Sequence, residues 1–373
     1  MAKLVLHIGT RKTGTTFLQS YLHENVAQLK KQGWSYPEFV EERNHLEFAL
    51  LFHDKVSGIH RMRGMPDRAA INRNAQKWAD QLRKHVRPNS RWIITSEMFS
   101  TRLQTVGEVQ NAVTFLRQFF DDITVVLFVR RQEFMFPSVY SQSVKNGFSP
   151  TWSWGFCKKR LSKLDYQTMY ERWNGANGVD EMVVVPFLES DKANADRLPE
   201  QFSEATGIKF GQDWVMPPEF HSNQSLSAEG IAFLRVVNPY IPLMRADNTS
   251  NRYQRELVIE RLMELTPGPS IRPDAEVQAR IIDHYKPSNQ ALVDALQGGR
   301  SASQAWDEWL QPPAEAPRPV DVPDISPSRV AELMVALSEP HGPVAWGRVD
   351  SKPLLVGQFA RELVTERLLK RRK

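Results

Sequence analysis

The residues of this chain whose types and spacing best suit chemistry are Gly9-Thr10-Arg11-Lys12-Thr13-Gly14-Thr15-Thr16. They follow the apolar run Leu4-Val5-Leu6-His7-Ile8 and precede Phe17, Leu18, Tyr21 and Leu22 at helical spacing, so the stretch reads as strand, loop and helix. The first N–H groups of a helix have no partner inside it and lie at the positive end of its dipole, which makes such a junction a cradle for an oxyanion. Lys12 adds a mobile point charge, Thr15 and Thr16 add hydroxyl donors, and Gly14 leaves room for backbone to approach a ligand. A loop between a buried-type strand and an amphipathic helix belongs at the carboxyl edge of a sheet, where open α/β folds bind ligands. Taken alone, the same residues also describe a tight loop with a solvated lysine.

Gly9 and Gly14 have the spacing of the kinase and NTPase phosphate loop, but Thr15 stands where that motif has its lysine. Lys12 comes before the second glycine, so its charge is presented from the loop and not from the first helical turn. Arg130 ends the apolar run Ile123 to Val129 and is expected at the same sheet edge, with Ser138 following in a helical stretch. An arginine and a serine can grip one phosphate; each taken singly also reads as a surface ion pair or a solvated hydroxyl. Glu97 sits just past Trp92-Ile93-Ile94-Thr95, where it suits a general base, a cap or an ion pair. His45 is the second candidate base, since an imidazole titrates near neutrality, while His7 inside the first strand reads as a core group.

The order Lys12-Thr13-Gly14-Thr15-Thr16 resembles the 5′-phosphosulfate loop of the sulfotransferases that use 3′-phosphoadenosine-5′-phosphosulfate (PAPS). Val129-Arg130-Arg131-Gln132 through Pro137-Ser138 is similar to the Arg and Ser that hold the 3′-phosphate in that family. Many members have Asp-Pro after the Arg; Arg131-Gln132 resembles a bacterial variant, and Pro137 is expected to kink or restart the helix at Ser138. A looser likeness joins His221-Ser222-Asn223-Gln224-Ser225-Leu226-Ser227 to an Asn-and-Ser loop that bacterial members place near the cofactor, with Ser227 reading equally as a helix N-cap. The likeness covers residues 1 to 230. It implies PAPS as donor and PAP as product, with Arg11, Lys12, Thr13, Gly14, Thr15, Thr16, Arg130, Ser138, Asn223 and Ser225 binding the cofactor. Lys12 would stabilise the leaving phosphate, and Ser96-Glu97 resembles the position of the carboxylate base in glycan-modifying members. The implied acceptor is a hydroxyl of a carbohydrate or glycolipid, and no metal is required.

The elements that must position these residues alternate strand and helix. Strands are expected at Leu4 to Ile8, Trp34 to Pro37, Trp92 to Thr95, Ile123 to Val129 and Met182 to Phe187, with helices between them, the first running to Lys31. This predicts an α/β three-layer sandwich around a central parallel sheet of about five strands, of the P-loop NTPase-like kind that the resemblance implies, plus a mainly helical C-terminal region. Residues 38 to 74 read as an irregular insertion shaping a substrate cleft, with Asn44-His45 before Leu46, Phe48, Leu50 and Leu51 as the entry to a helix, and the helix from Ala275 to Leu296 reads as interrupted at Pro287. The chain divides into an α/β core at 1–210, a helical cap at 211–311, a linker at 312–327 with six prolines, and a C-terminal helical segment at 328–373 with a basic tail.

Composition bounds the partners. A chain of 373 residues with 41% hydrophobic residues can fill a sizeable core, and a net charge of +5 favours anionic ligands without calling for nucleic acid. One cysteine, Cys157, supports neither a disulfide framework nor a multi-cysteine zinc site, and a reducing, cytoplasmic setting is expected. No secretory leader and no transmembrane run is read; the basic residues from Arg367 to Lys373 suit a peripheral membrane or partner contact, or a solvated terminus. Trp34, Trp152, Trp154 and Phe156 could stack on sugar faces or fill the core, and Arg61, Arg63 and Lys158 to Arg160 suit an acidic or sulfated glycan. Two rivals remain: a P-loop small-molecule kinase, which would need Mg²⁺, and a catalytically inactive nucleotide-binding scaffold.

Overall fold

The computed structural model describes residues 1–40, 43–189, 197–211, 213–217, 225–239, 252–296, 301, 304–311 and 318–338. The chain starts with strand β1 (Lys3–His7), helices α1 (Thr15–Glu24) and α2 (Val26–Lys31), and the two-residue β2 (Trp34–Ser35). Helices α3 (Leu46–Leu50), α4 (Gly58–Met62) and α5 (Arg68–His85) lead to β3 (Arg91–Thr95), then α6 (Met98–Arg102), α7 (Val106–Leu116) and β4 (Asp122–Arg130). After α8 (Gln132–Lys145), α9 (Trp154–Lys158) and α10 (Tyr166–Asn174) come β5 (Glu181–Phe187) and α11 (Arg197–Thr206). The remainder is helical: α12 (Ala228–Val237), α13 (Arg252–Leu265), α14 (Ala275–Ala295), α15 (Ala305–Leu310) and α16 (Pro327–Ser338).

Contacts divide the chain into two units, each discontinuous in sequence. The first holds Met1–Met135, Cys157–Asn223 and Gln278–Glu315; the second holds Phe136–Phe156, Gln224–Val277 and Ala316–Lys373. The first unit is the α/β sandwich. Its five strands are all parallel in the order β2-β3-β1-β4-β5, the expected number and direction. Both sheet faces are covered, so the strands read as continuous apolar runs and alternate residues enter opposite cores. Leu4, Leu6, Trp92, Ile94, Val125 and Leu127 join one cluster, and Val5, Ile93, Val126 and Phe128 the other. Phe17, Leu18, Tyr21 and Leu22 of α1 with Leu198 and Phe202 of α11 close the second; Trp78 of α5, Val113 of α7, Trp173 of α10 and Trp309 of α15 close the first. The chain leaves β1 toward β3 on one side and β4 on the other, so the loop after β1 lies at a topological switch point.

Several expectations are corrected. The first helix breaks at Asn25, whose side chain donates to the carbonyls of Tyr21 and Val215 at 2.8 Å each and accepts the Val215 N–H at 2.7 Å, so one side chain terminates α1 and pins a distant segment. The helix entry read at Asn44-His45 is α3, with Leu46, Phe48 and Leu50 buried, and α4 and the start of α5 add regular structure that was not expected between residues 58 and 74. Neither internal proline interrupts its helix. Pro137 lies inside continuous α8 and Pro287 inside continuous α14, where buried Ile281, Tyr285 and Leu292 hold the helix against its neighbours on both sides of the proline.

In the second unit Ser227 caps α12 by accepting the Gly230 N–H at 3.0 Å. Arg255 donates to the Val144 and Lys145 carbonyls and to Asn238 Oδ1, tying α13 to the end of α8. Tyr140, Trp152 and Phe156 pack edge to face or tilted, and Phe156 is buried, which gives it and Tyr140 to the core. Residues 339–373, including the basic tail, lie outside the described residues. Among the described residues no helix is long and apolar enough to cross a membrane.

Candidate functional site

The loop after β1 continues the pairing of that strand past its end. Ile8 and Thr10 donate their N–H groups to the Val126 and Phe128 carbonyls at 2.9 Å each, and the Thr10 hydroxyl also donates to Phe128 O at 3.0 Å. Thr13 folds its hydroxyl back onto Thr10 O at 2.7 Å, so the loop closes on itself. Three residues turn through left-handed backbone: Gly9 at φ +72°, Lys12 at φ +65° and Gly14 at φ +76°. A lysine in that region is strained, and the bonds of Thr10 and Thr13 on either side are what hold it there. Gly14 also serves the fold: a Cβ there would lie 2.4 Å from Leu198 Cδ2, so α11 packs against the flank where a side chain would stand. Gly14 is also the N-cap of α1, which has no side-chain cap. Thr15 is buried and Thr16 exposed, and neither hydroxyl makes a hydrogen bond among the described residues. Lys12 is exposed and the N-terminus of α1 next to it has no side-chain cap, two features that an anion site uses.

Glu97 stands against this loop. A Cβ on Gly9 would lie 2.8 Å from Glu97 Cβ and 2.9 Å from its Cα, so only glycine lets the two segments meet. Glu97 is half-buried, is the N-cap of α6, and its Oε2 accepts from Gln19 Nε2 of α1 at 3.2 Å. The β3 end that delivers it is held from both sides. Ser96 N–H donates to His7 O at 3.0 Å, and His7 Nδ1 is 2.7 Å from Thr95 Oγ1. His45 donates its backbone N–H to Thr95 O and accepts the Thr95 N–H on Nδ1, both at 2.9 Å. Burial pushes His7 and His45 each down to about 3, with His23 adding to the effect on His45, so both imidazoles are neutral at neutral pH. His45 is fully buried with Nδ1 occupied, so it positions the strand that carries Glu97 and does not reach solvent.

Arg130 ends β4 and is buried, with Nε 2.5 Å and Nη2 3.0 Å from the two Glu189 oxygens. Its third nitrogen, Nη1, reaches toward Lys12 O at 3.5 Å, which brings the arginine to the loop. Tyr166 donates its hydroxyl to Arg130 O at 2.7 Å. Arg11, Lys12, Thr13, Gly14, Thr15, Thr16, Glu97 and Arg130 therefore share the first unit. Ser138, half-buried on α8, and Ser225, exposed before α12, belong to the second. Asn223 lies outside the described residues.

Three residues escaped the sequence reading. Gln19 lies one helical turn past Thr15, a spacing that could have marked it as facing the same edge. Glu189 follows the end of β5 by two residues and carries no local mark of its pairing with β4. Arg102 closes α6 four residues after Met98, and the sulfur of Met98 accepts from Arg11 Nη2 at 3.7 Å. Comparison of the chain with family models, curated proteins and solved structures gave no significant match.

Proposed function

We propose that the chain is a sulfotransferase that moves a sulfuryl group from PAPS to a hydroxyl of a carbohydrate or glycolipid. The observation that carries this reading is the contact of Gly9 with Glu97, which sets a carboxylate against a lysine-bearing anion loop at the switch point of a parallel sheet. Lys12 of that loop and Arg130 of the neighbouring strand supply two cationic groups, as a nucleotide phosphorylated at two positions needs.

In the proposed reaction the acceptor oxygen forms a bond to sulfur as the bond from sulfur to the 5′-phosphate oxygen breaks, and that electron pair stays on the phosphate of PAP. Glu97 takes the proton of the acceptor hydroxyl, and Gln19 donates to one of its carboxylate oxygens and so positions the carboxylate. Lys12 and the N–H groups at the start of α1 meet the charge growing on the phosphate. As in phosphoryl transfer, positioning and electrostatics supply the rate.

Calorimetric titration with PAP and with ATP plus Mg²⁺ tests the donor. Binding of PAP that Lys12→Ala weakens is expected; tight binding of ATP with Mg²⁺ alone would replace this reading with phosphoryl transfer. Transfer from radiolabelled PAPS to a panel of glycans and glycolipids then tests the acceptor class.

A further inference from the structure

Arg102 makes no hydrogen bond and no ion pair among the described residues, although it is half-buried. The charge that acts on it is another cation. Arg11 lies along the same face of α6, bonded to Met98 Sδ one turn before Arg102, and is close enough to disfavour the charge of Arg102, which burial already holds below the usual arginine range. Arg102 also acts on His53 and His60, whose rings stack at 5.4 Å and 17°. Burial holds both below the usual imidazole value, and Arg102 adds to the effect on each. Two carboxylates act on His53, Asp54 and Glu108; Glu108, 4.0 Å from His53 Nε2, is engaged by the N–H groups of Asp54, Gln104 and Thr105. Two guanidiniums thus lie near one another with no carboxylate bonded to either among the described residues, an arrangement that costs stability unless an anion completes it.

The place of this pair in the fold says which ligand it serves. The proposed donor residues lie in the loop after β1, at the start of α1 and, with Arg130, at the end of β4. Arg102 follows β3, on the opposite side of β1, and is carried by the helix that Glu97 caps. A group held there lies on the side of the base and not of the donor nucleotide. We infer that Arg11 and Arg102 form a subsite for an oxyanion on the acceptor, a carboxylate or sulfate ester carried beside the hydroxyl that is modified. This rests on the sulfotransferase reading for the word acceptor, and it moves Arg11 from the cofactor to the substrate. Arginine suits the task because its planar fork takes two oxygens of one anion.

The probe is inorganic sulfate, titrated as the sodium salt against sodium chloride at matched ionic strength, with the thermal unfolding midpoint as readout. It is run on the full chain alone and with saturating PAP. Sulfate is expected to raise the midpoint in both series. Arg102→Gln should weaken that response about tenfold in apparent affinity, the loss of one charge-assisted contact, while PAP affinity stays within about twofold. Arg102→Lys should restore part of the response. Without ligand the Arg102→Gln midpoint should equal or exceed that of the parent, because one of two unpaired cations is gone; a purely structural arginine would lower it. A sulfate response that neither Arg102→Gln nor Arg11→Gln changes overturns the subsite. Failure of PAP to bind, with the sulfate response intact and sensitive to Arg102, overturns the donor assignment and leaves the anion site standing.

Discussion

Arg130 and Arg102 flank the same loop from opposite sides of β1, and they are kept in opposite states. Arg130 is clamped by both oxygens of Glu189, whereas Arg102 faces Arg11 and has no counter-charge among the described residues. The first is a guanidinium whose charge is already satisfied, so a phosphate must displace a carboxylate to reach it. The second is held ready, at a standing cost to the fold. A folded chain tolerates that cost where a ligand later offsets it, which is why an uncompensated arginine is the more informative of the two.

The comparison can be sharpened first at Glu97, on the side of Arg102. Glu97→Gln should lower transfer about 10²- to 10⁴-fold with PAP affinity unchanged, measured by single-turnover transfer and calorimetry; a full rate would take the base from that side. Gly9→Ala comes next. It forces a side chain at φ +72° into Glu97, and a loss of roughly 2–4 kcal/mol in denaturant unfolding is expected, with transfer falling as the base is pushed aside. A neutral outcome would mean that the loop and the carboxylate do not touch.

Breaking the comparison outright takes paired variants. Arg130→Ala leaves a carboxylate without its partner and should cost about 1–2 kcal/mol, less than a fully buried pair because the Glu189 side chain is 33% exposed. Arg102→Gln should cost nothing by the same assay. Glu189→Gln should tighten PAP several-fold by freeing the Arg130 fork, and a weaker affinity would show that Glu189 helps to hold the site. Last is acid. His7 and His45 are neutral in the fold and titrate near 3, so the unfolded chain, with its histidines near 6.5, binds more protons between those values. Stability is fully present above pH 6.5 and is lost as pH falls toward 3, by about 1.4 kcal/mol per pH unit for each histidine. Unfolding midpoints in denaturant across that range should follow this slope, and His45→Asn should reduce it.

The sheet was legible because its physics is local. Five apolar runs with both faces buried announce parallel strands, and Gly9 to Thr16 announces a turn into a helix. Where a distant contact decides, the sequence reading failed. Nothing beside Asn25 signals that it bonds Val215, and nothing beside Pro287 signals that burial of Tyr285 and Leu292 holds its helix through the proline. That Gly14 makes room for Leu198 of a later helix was not legible either. The arginines were equally opaque: whether a guanidinium is paired depends on Glu189 beyond another strand, or on Arg11 beyond another loop.

His45 has one more consequence, for how the sheet is completed. Strand β2 is two residues long and pairs β3 at Arg91 and Trp92, so on that side it does not reach Thr95. There His45 stands in, one bond from its backbone and one to its ring, as a strand of a single residue. Replacing the imidazole would leave the buried Thr95 amide without its acceptor, so the residue first weighed as a base finishes the sheet where β2 stops short.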